Sequence, residues 1–379
     1  MKMTPHVLCV VGARPNFMKI APLMRAFAAT GGALRASLLH TGQHYDAAMK
    51  ASFFEQLNIP EPDVDLGVGS GTHAQQTAQI MLRFEPVLEA LAPDAVLVVG
   101  DVNSTVACAL VAVKRGVPTI HVEAGLRSGD RSMPEEINRL LTDQISELLF
   151  TTEEPALDNL LSEGIARDKV HFSGNVMIDT LFENLPRATP ASETLAAAGA
   201  SEAVRAAGEF GLLTLHRPSN VDDPQALERL LRTLAEVSRA TPLVFPVHPR
   251  TAARIDAAGL QPLVDDAAIF VLPPQGYLQM LGLMREARMV LTDSGGVQEE
   301  TTALGVPCVT LRDNTERPIT VSQGTNTVVG SDPVAIRRAV AAIRAGDGKA
   351  GRRPPLWDGA AAQRIVAVLL DYFGPRAGS

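Results

Sequence analysis

Short apolar runs recur along almost the whole chain, each followed by a longer stretch with helical spacing. In the first half they are His6–Val11, Leu34–His40, Ala95–Gly100, Pro118–Val122, Glu147–Thr151 and Val170–Ser173. In the second half they are Phe210–Leu215, Leu243–Val247, Ala268–Leu272, Arg288–Thr292, Pro307–Leu311 and Asn326–Val329. They are rich in Val, Leu and Ile and lack polar alternation, the pattern of parallel strands covered on both faces. Helical patterns separate them, among others at Pro15–Thr30, Asn103–Arg115, Pro134–Ser146, Pro224–Ala240, Leu278–Ala287, Gly296–Leu304 and Pro333–Arg344. Alternation of this kind builds βαβ units, so the chain is predicted to be α/β with doubly wound parallel sheets.

A length of 379 residues exceeds what one hydrophobic core usually organises, which predicts two domains. A linker near Gly174–Asn175 would divide the chain into residues 1–174 and 175–357. Pro190–Gly208, rich in Ala, Ser and Glu, reads as a mobile surface helix or loop, and Gly346–Pro355 reads as a second break. Ala360–Phe373 has helical spacing, and residues 358–379 are expected to return to the first domain.

The formal charge is −8, and no Lys/Arg run is dense enough to track a phosphate backbone, so nucleic acid is not an expected partner. An anionic ligand would have to be held by a few placed groups. No apolar run approaches ~18 residues, so no membrane insertion is expected. Val7–Val11 is too short for the apolar region of a signal peptide. Cys9, Cys108 and Cys308 are odd in number, far apart and set in apolar contexts, so they read as core thiols. These features together point to the cytoplasm.

Open α/β sheets bind ligands beyond the carboxyl ends of their strands. In the first half those positions hold Gly12-Ala13-Arg14-Pro15-Asn16-Phe17-Met18-Lys19, Thr41-Gly42-Gln43-His44, Gly100-Asp101-Val102-Asn103 and His121-Val122-Glu123-Ala124-Gly125-Leu126-Arg127. A loop then leads to Pro134-Glu135-Glu136-Ile137-Asn138-Arg139. Each residue has a structural reading: Pro15 can start a helix, Asp101 can cap one, and Glu123 can pair with Arg127. Three carboxylates with Arg14 and Lys19 on the loops of one sheet edge also suit a common ligand.

In the second half, Thr292-Asp293-Ser294-Gly295-Gly296-Val297-Gln298-Glu299-Glu300 is strand, glycine turn and helix. A helix N-terminus with free N–H groups suits a diphosphate, and Glu300 could accept ribose hydroxyls. Neither Gly-x-Gly-x-x-Gly nor Gly-x-x-x-x-Gly-Lys-[Ser/Thr] occurs, which argues against a dinucleotide enzyme and a P-loop NTPase. His216-Arg217 and His248-Pro249-Arg250 also follow strands. No His-x-x-x-His or paired-Cys spacing suggests zinc, so no metal is expected.

Taken in order, these segments, with Arg312-Asp313…Thr315-Glu316-Arg317, resemble the bacterial non-hydrolysing UDP-N-acetylglucosamine 2-epimerases from about Val7 to Phe373. The resemblance implies a GT-B-like architecture, two Rossmann-like domains with the ligand cleft between them, and a common dimeric state. It implies reversible inversion at C2 to UDP-N-acetylmannosamine for cell-surface polysaccharide synthesis, without nicotinamide or other cofactor. UDP leaves C1 as the C2 proton is removed, giving 2-acetamidoglucal, and re-adds after protonation from the opposite face. Asp101, Glu123 and Glu135 match the family's catalytic carboxylates. His216 joins them at the reacting end and, with Arg14, Lys19 and Ser294-Gly295-Gly296, matches the groups that receive the diphosphate. Arg139 is a further contributor, Glu300 matches the ribose ligand and Arg317 a nucleotide-side contact. Gln43, His44, Glu136, Arg217 and His248 correspond to parts of a second site through which several bacterial members are activated by their own substrate.

The chain departs from the family pattern at Asn16, where Glu is common, at Pro218-Ser219, where an acidic pair is usual, and at Met280, which replaces an aromatic near the base while Tyr277 is retained. These departures leave the sugar open: a uronate or diacetamido UDP sugar is an alternative substrate. A hydrolysing epimerase, a GT-B glycosyltransferase and a non-catalytic UDP-sugar sensor are the alternative functions.

Overall fold

Thirteen strands among the described residues form two wholly parallel sheets, and the order of the second repeats that of the first six strands of the first. The computed structural model describes residues 4–43, 54–199, 204 and 209–374. The first sheet contains β1 (His6–Val11), β2 (Arg35–His40), β3 (Val64–Asp65), β4 (Ala95–Val99), β5 (Thr119–Ala124), β6 (Leu148–Thr151) and β7 (Val170–Phe172), in the order 3-2-1-4-5-6-7. The second contains β8 (Gly211–Thr214), β9 (Leu243–Pro246), β10 (Ile269–Leu272), β11 (Met289–Thr292), β12 (Cys308–Thr310) and β13 (Asn326–Val328), in the order 10-9-8-11-12-13. The direction of winding therefore reverses at β1/β4 in one sheet and at β8/β11 in the other.

Burial on both faces explains why the long strands are apolar without alternation. Leu8 and Val10 of β1 join a core with Phe84 and Cys108, while Val7, Cys9 and Val11 are buried on the opposite face. In β8, Leu213 packs with Leu230 and Leu291, and its neighbour Leu212 packs with Val244 and Val290 in a separate cluster. Proline opens several helices, including Pro134–Ile145, Pro224–Ser238 and Pro333–Ala345, where its missing N–H costs no hydrogen bond. Gly305 and Gly346 end Gly295–Leu304 and Pro333–Ala345 in the left-handed region, at φ +76° and +85°.

The chain divides into one compact unit of Met1–Glu183 with Pro355–Ser379 and a second of Asn184–Pro354. Helix Val176–Asn184 is tied to the first unit, since the Thr180 hydroxyl donates to the Met18 carbonyl. The returning segment is held by Trp357, which is buried and donates from Nε1 to the Thr152 carbonyl at 2.9 Å. Asp179 then caps helix Ala361–Phe373 by accepting from the Ala361 and Ala362 amides at 3.1 and 2.7 Å. That helix packs against Arg14–Ala28 within the first unit.

Part of the Ala/Ser/Glu-rich stretch is not the free surface segment its composition suggests. Ala191–Ala197 is a helix, and Ala191 and Leu195 enter the second unit's core beside Met284 and Val290. Elements additional to those expected from the sequence include β3, the helix His73–Leu91 with buried Gln76, Ile80, Phe84 and Leu88, and the shorter helices Glu154–Ser162 and Pro249–Ala257. None of the described helices is long and apolar enough to cross a membrane.

Candidate active site

Ligand crevices in open α/β sheets form where the winding reverses, and the sequence-selected residues cluster at both reversals. In the first unit, helix Arg14–Ala28 starts directly after β1. Asn16 accepts from the Gly12 and Ala13 amides at 3.2 and 3.1 Å and donates to the Val99 carbonyl at 3.0 Å. It therefore pins the helix start to the end of β4, across the reversal. Lys19, one turn on, places Nζ 2.6 Å from Glu123 Oε1, with both side chains buried. Breaking a buried pair of this kind by removing one partner costs about 3–5 kcal/mol.

Glu123 lies at the end of β5 with φ +76°, and the pairing of β5 with β6 shifts register between Val122 and Ala124. An irregularity there re-aims a side chain at the strand end. A non-glycine residue in the left-handed region costs about 1–3 kcal/mol, which persists only when the surroundings fix it. Asp101 follows Gly100 at the end of β4; its Oδ2 accepts from Arg139 at 2.6 Å and its carbonyl accepts from Asn138 Nδ2 at 2.9 Å. Glu135 is in the first turn of Pro134–Ile145, half-buried, and makes no side-chain hydrogen bond to a described residue. Asp101, Glu123, Glu135, Lys19 and Arg139 thus gather on β4, β5 and the helices beside them.

Two residues considered for a second site are engaged within the first unit. Gln43 is buried and accepts from the amide and hydroxyl of Ser104 at 3.2 and 2.7 Å. Glu136 accepts from the Ser128 amide and hydroxyl and the Gly129 amide, so it clamps the loop before its own helix. His44 lies outside the described residues, as does the side chain of Arg14, whose backbone opens its helix.

In the second unit, Asp293 closes the reversal between β8 and β11. It is fully buried and accepts from the His216 and Arg217 amides and from Asn220 Nδ2, and its Oδ1 lies 3.0 Å from His216 Nδ1. Burial alone would raise its carboxyl, but the His216 side chain and these amides outweigh burial and lower it. The His216 ring is partly exposed, with its other nitrogen not engaged by Asp293, and it lies 5.9 Å from the exposed His248 ring. Ser294 is the N-cap of Gly295–Leu304, and its hydroxyl makes no capping bond. Gly296 follows at the second helical position, so the start of this helix carries no bulky side chain.

A methyl group on Gly295 would come within 2.6 Å of Glu316 Oε1, so the turn needs glycine for space. Glu316 is pushed up by burial but held at about 2 by the Arg317, Arg312 and Arg217 guanidiniums. Arg317 also pairs with Glu299 at 2.8 Å. Tyr277 donates to Glu300 Oε1 at 2.8 Å, and burial raises its phenol well above the usual value. Met280 is half-buried and packs against the core formed by Leu212 and Val290. No group of three or more His, Cys, Asp or Glu among the described residues could hold a metal ion.

The model of the family described as UDP-N-acetylglucosamine 2-epimerase matches residues 28–370. The chain belongs to that family. It is 42% identical over 363 residues to the UDP-N-acetylglucosamine 2-epimerase of Methanocaldococcus jannaschii, covering 95% of this chain and 97% of the relative. A crystal structure of that archaeal enzyme in complex with UDP-GlcNAc and UDP superposes with a TM-score of 0.84 at 40% identity, covering 96% of this chain and 99% of that one. The UDP-2,3-diacetamido-2,3-dideoxy-D-glucuronate 2-epimerase of Pseudomonas aeruginosa is 43% identical over 328 residues, 86% of this chain and 88% of the relative.

The epimerase-family motifs thus lie at the strand ends of two Rossmann-like sheets. Asp143 is absent from the segments singled out in the sequence, and the supporting contacts of Asn16, Asn138, Asp293 and Tyr277 become visible only in the structure. Asn16 had a visible signal, a polar residue three positions into a helix that follows a glycine turn. Asp143 had a fainter one, its spacing of four residues from Arg139 and eight from Glu135 on a single helix.

Proposed function

We propose that this chain inverts C2 of UDP-N-acetylglucosamine, giving UDP-N-acetylmannosamine reversibly. The C2 hydrogen of the closed sugar is not acidic, so a base removes it as the C1–O bond breaks. The C–H electron pair becomes the C1=C2 double bond, and UDP departs with the C–O pair. A proton then adds to C2 from the opposite face, and a UDP oxygen re-adds at C1. Proton transfer falls to Asp101, Glu123 and Glu135. His216, Lys19, Arg14, Arg139 and the Ser294–Gly296 turn receive the negative charge that grows on the leaving diphosphate. Glu300, Arg317 and Met280 face the nucleoside.

The observation that carries the reading is the grouping of three carboxylates with three different sets of partners. Asp101 is paired with Arg139, Glu123 with Lys19, and Glu135 has no described side-chain hydrogen bond. Like groups can take opposite roles in proton transfer only when their environments differ. We assign the carboxylates, with Arg14, Lys19 and Arg139, to the first unit, Met1–Glu183 with Pro355–Ser379, and the other UDP contacts to the second, Asn184–Pro354. Gln43, His44, Glu136, Arg217 and His248 are assigned to substrate activation.

A second reading, inversion of a UDP sugar bearing a uronate or a second acetamido group, is favoured by the equal identity to the Pseudomonas relative. We assign the protein to the cytoplasm as a homodimer. Its buried free thiols suit a reducing compartment, and exposed Leu82, Ile137 and Leu141 on first-unit helices offer apolar contact surface, which light scattering tests.

The test is incubation with each UDP sugar in D2O, followed by NMR. Deuterium at C2 with UDP still attached is the expected result, and the sugar that turns over decides between the readings. Free UDP with N-acetylmannosamine would instead identify a hydrolase, and saturable binding without turnover a sensor.

A further inference from the structure

The helix Pro134–Ile145 carries a buried carboxylate that the proposed reaction leaves unused. Asp143 is 1% exposed. Its Oδ1 lies 2.6 Å from His121 Nδ1. Its Oδ2 accepts from the Gly125 amide at 3.1 Å and pairs with Arg127 at 2.7 Å. The other ring nitrogen of His121 lies 2.8 Å from the Gly100 carbonyl oxygen, and this ring is wholly buried. Neither side chain is exposed to a ligand.

The pair instead grips backbone on either side of two proposed proton-transfer groups. Gly100 is bonded to Asp101, and Glu123 sits midway between His121 and Gly125. Both stretches lie where the backbone needs restraint: Gly100, Glu123 and Gly125 have φ of +66°, +76° and +80°. A glutamate keeps such a conformation only when its neighbours over-determine it. Asp143 also lies on the face of its helix that carries Glu135 and Arg139, at spacings of four residues, and Arg139 holds Asp101 at 2.6 Å. One helix face therefore registers all three carboxylates.

We infer that Asp143 and His121 are positioning residues, a buried pair that sets the Asp101 and Glu123 carboxylates against C2 of the sugar. The inference rests on the assignment of those carboxylates to proton transfer. The pair is buried within the first unit and braces the backbone that carries these carboxylates, so its loss should slow chemistry and spare nucleotide binding.

The experiment compares the full-length protein with Asp143→Asn and His121→Asn, measuring kcat and KM for the UDP sugar that turns over, and the affinity for UDP by calorimetry. A displacement of reacting groups by ~1 Å costs about 10²-fold in rate, and that fall in kcat is the expected result for both variants. KM and UDP affinity should stay within about threefold of the parent, as they do when only a transition-state interaction is lost. Two variants keep the test alive if one does not fold. A kcat within about threefold of the parent, or a parallel loss of kcat, KM and UDP affinity, would overturn the inference while leaving the functional reading intact. A parent protein that exchanges no C2 hydrogen would overturn the functional reading and this inference with it.

Discussion

Glu123 combines a proposed part in proton transfer with backbone strain in one residue. It is buried, ion-paired to Lys19 and held in the left-handed region at φ +76°. A strained, buried carboxylate is costly for folding, so its presence is easiest to explain by what it does to a ligand. Asp101→Asn, Glu123→Gln and Glu135→Gln are each expected to lower kcat by at least about 10²-fold, the lower range for a positioned acid or base. Steady-state kinetics checks this, and near-parent rates in all three would remove the carboxylates from the reaction. Asp101 and Glu123 stand out in the sequence because they follow apolar runs, at strand ends where open α/β sheets bind ligands, whereas Glu135 stands out only in the loop-to-helix segment 134–139. Asn16 stands out in the sequence as a departure from the family pattern and as a polar residue three positions into a helix after a glycine turn. Its function as a tether between Gly12, Ala13 and Val99 depends on β1 and β4 being neighbours, which no local pattern encodes.

Helix Ala361–Phe373 shows how one element depends on a single capping carboxylate. Burial lifts Asp179 from 3.8 to about 6, against the two amides it caps. Between those values the folded protein keeps a proton that the unfolded chain has released, so stability falls as pH rises through this window. The rise corresponds to about 3 kcal/mol lost by the time pH passes the folded value. Asp179→Asn cannot titrate and can still accept one amide. Its Tm relative to the parent is expected to climb between pH 4 and pH 6.5 and then level off, on the order of the span set by linkage. Thermal unfolding across that range checks it, and a flat difference would show that Asp179 is not the source. Elements differed in legibility for physical reasons. Long apolar strands were read to within one or two residues. β3 has two residues and no pattern to detect. Helix His73–Leu91 buries one residue in four and carries Pro86 inside it, a residue that ordinarily ends or kinks a helix. The stretch after Pro190 departs from its composition because Ala191 and Leu195 pack against Met284 and Val290, a contact set by tertiary structure.

Across the whole molecule, the same winding order recurs in two units that share no sequence repeat, and each puts its polar side chains at the point of reversal. The alternation of apolar runs and helices was enough to read this class of fold, because most strands are apolar and packed into hydrophobic cores. What could not be read was the web of supports under each site: Asp143 and His121 in one unit, Asp293 and Tyr277 in the other. The account assigns C2 chemistry to the first unit and the grip on UDP to the second, which requires the C1–O bond to break while UDP stays bound. The most direct measurement places 18O in the oxygen that bridges C1 and the β-phosphorus and follows its position by 31P NMR during turnover. The account predicts that the label spreads into the non-bridging positions of the β-phosphoryl group as C2 inverts. Inversion at C2 with the label still wholly in the bridge would contradict it.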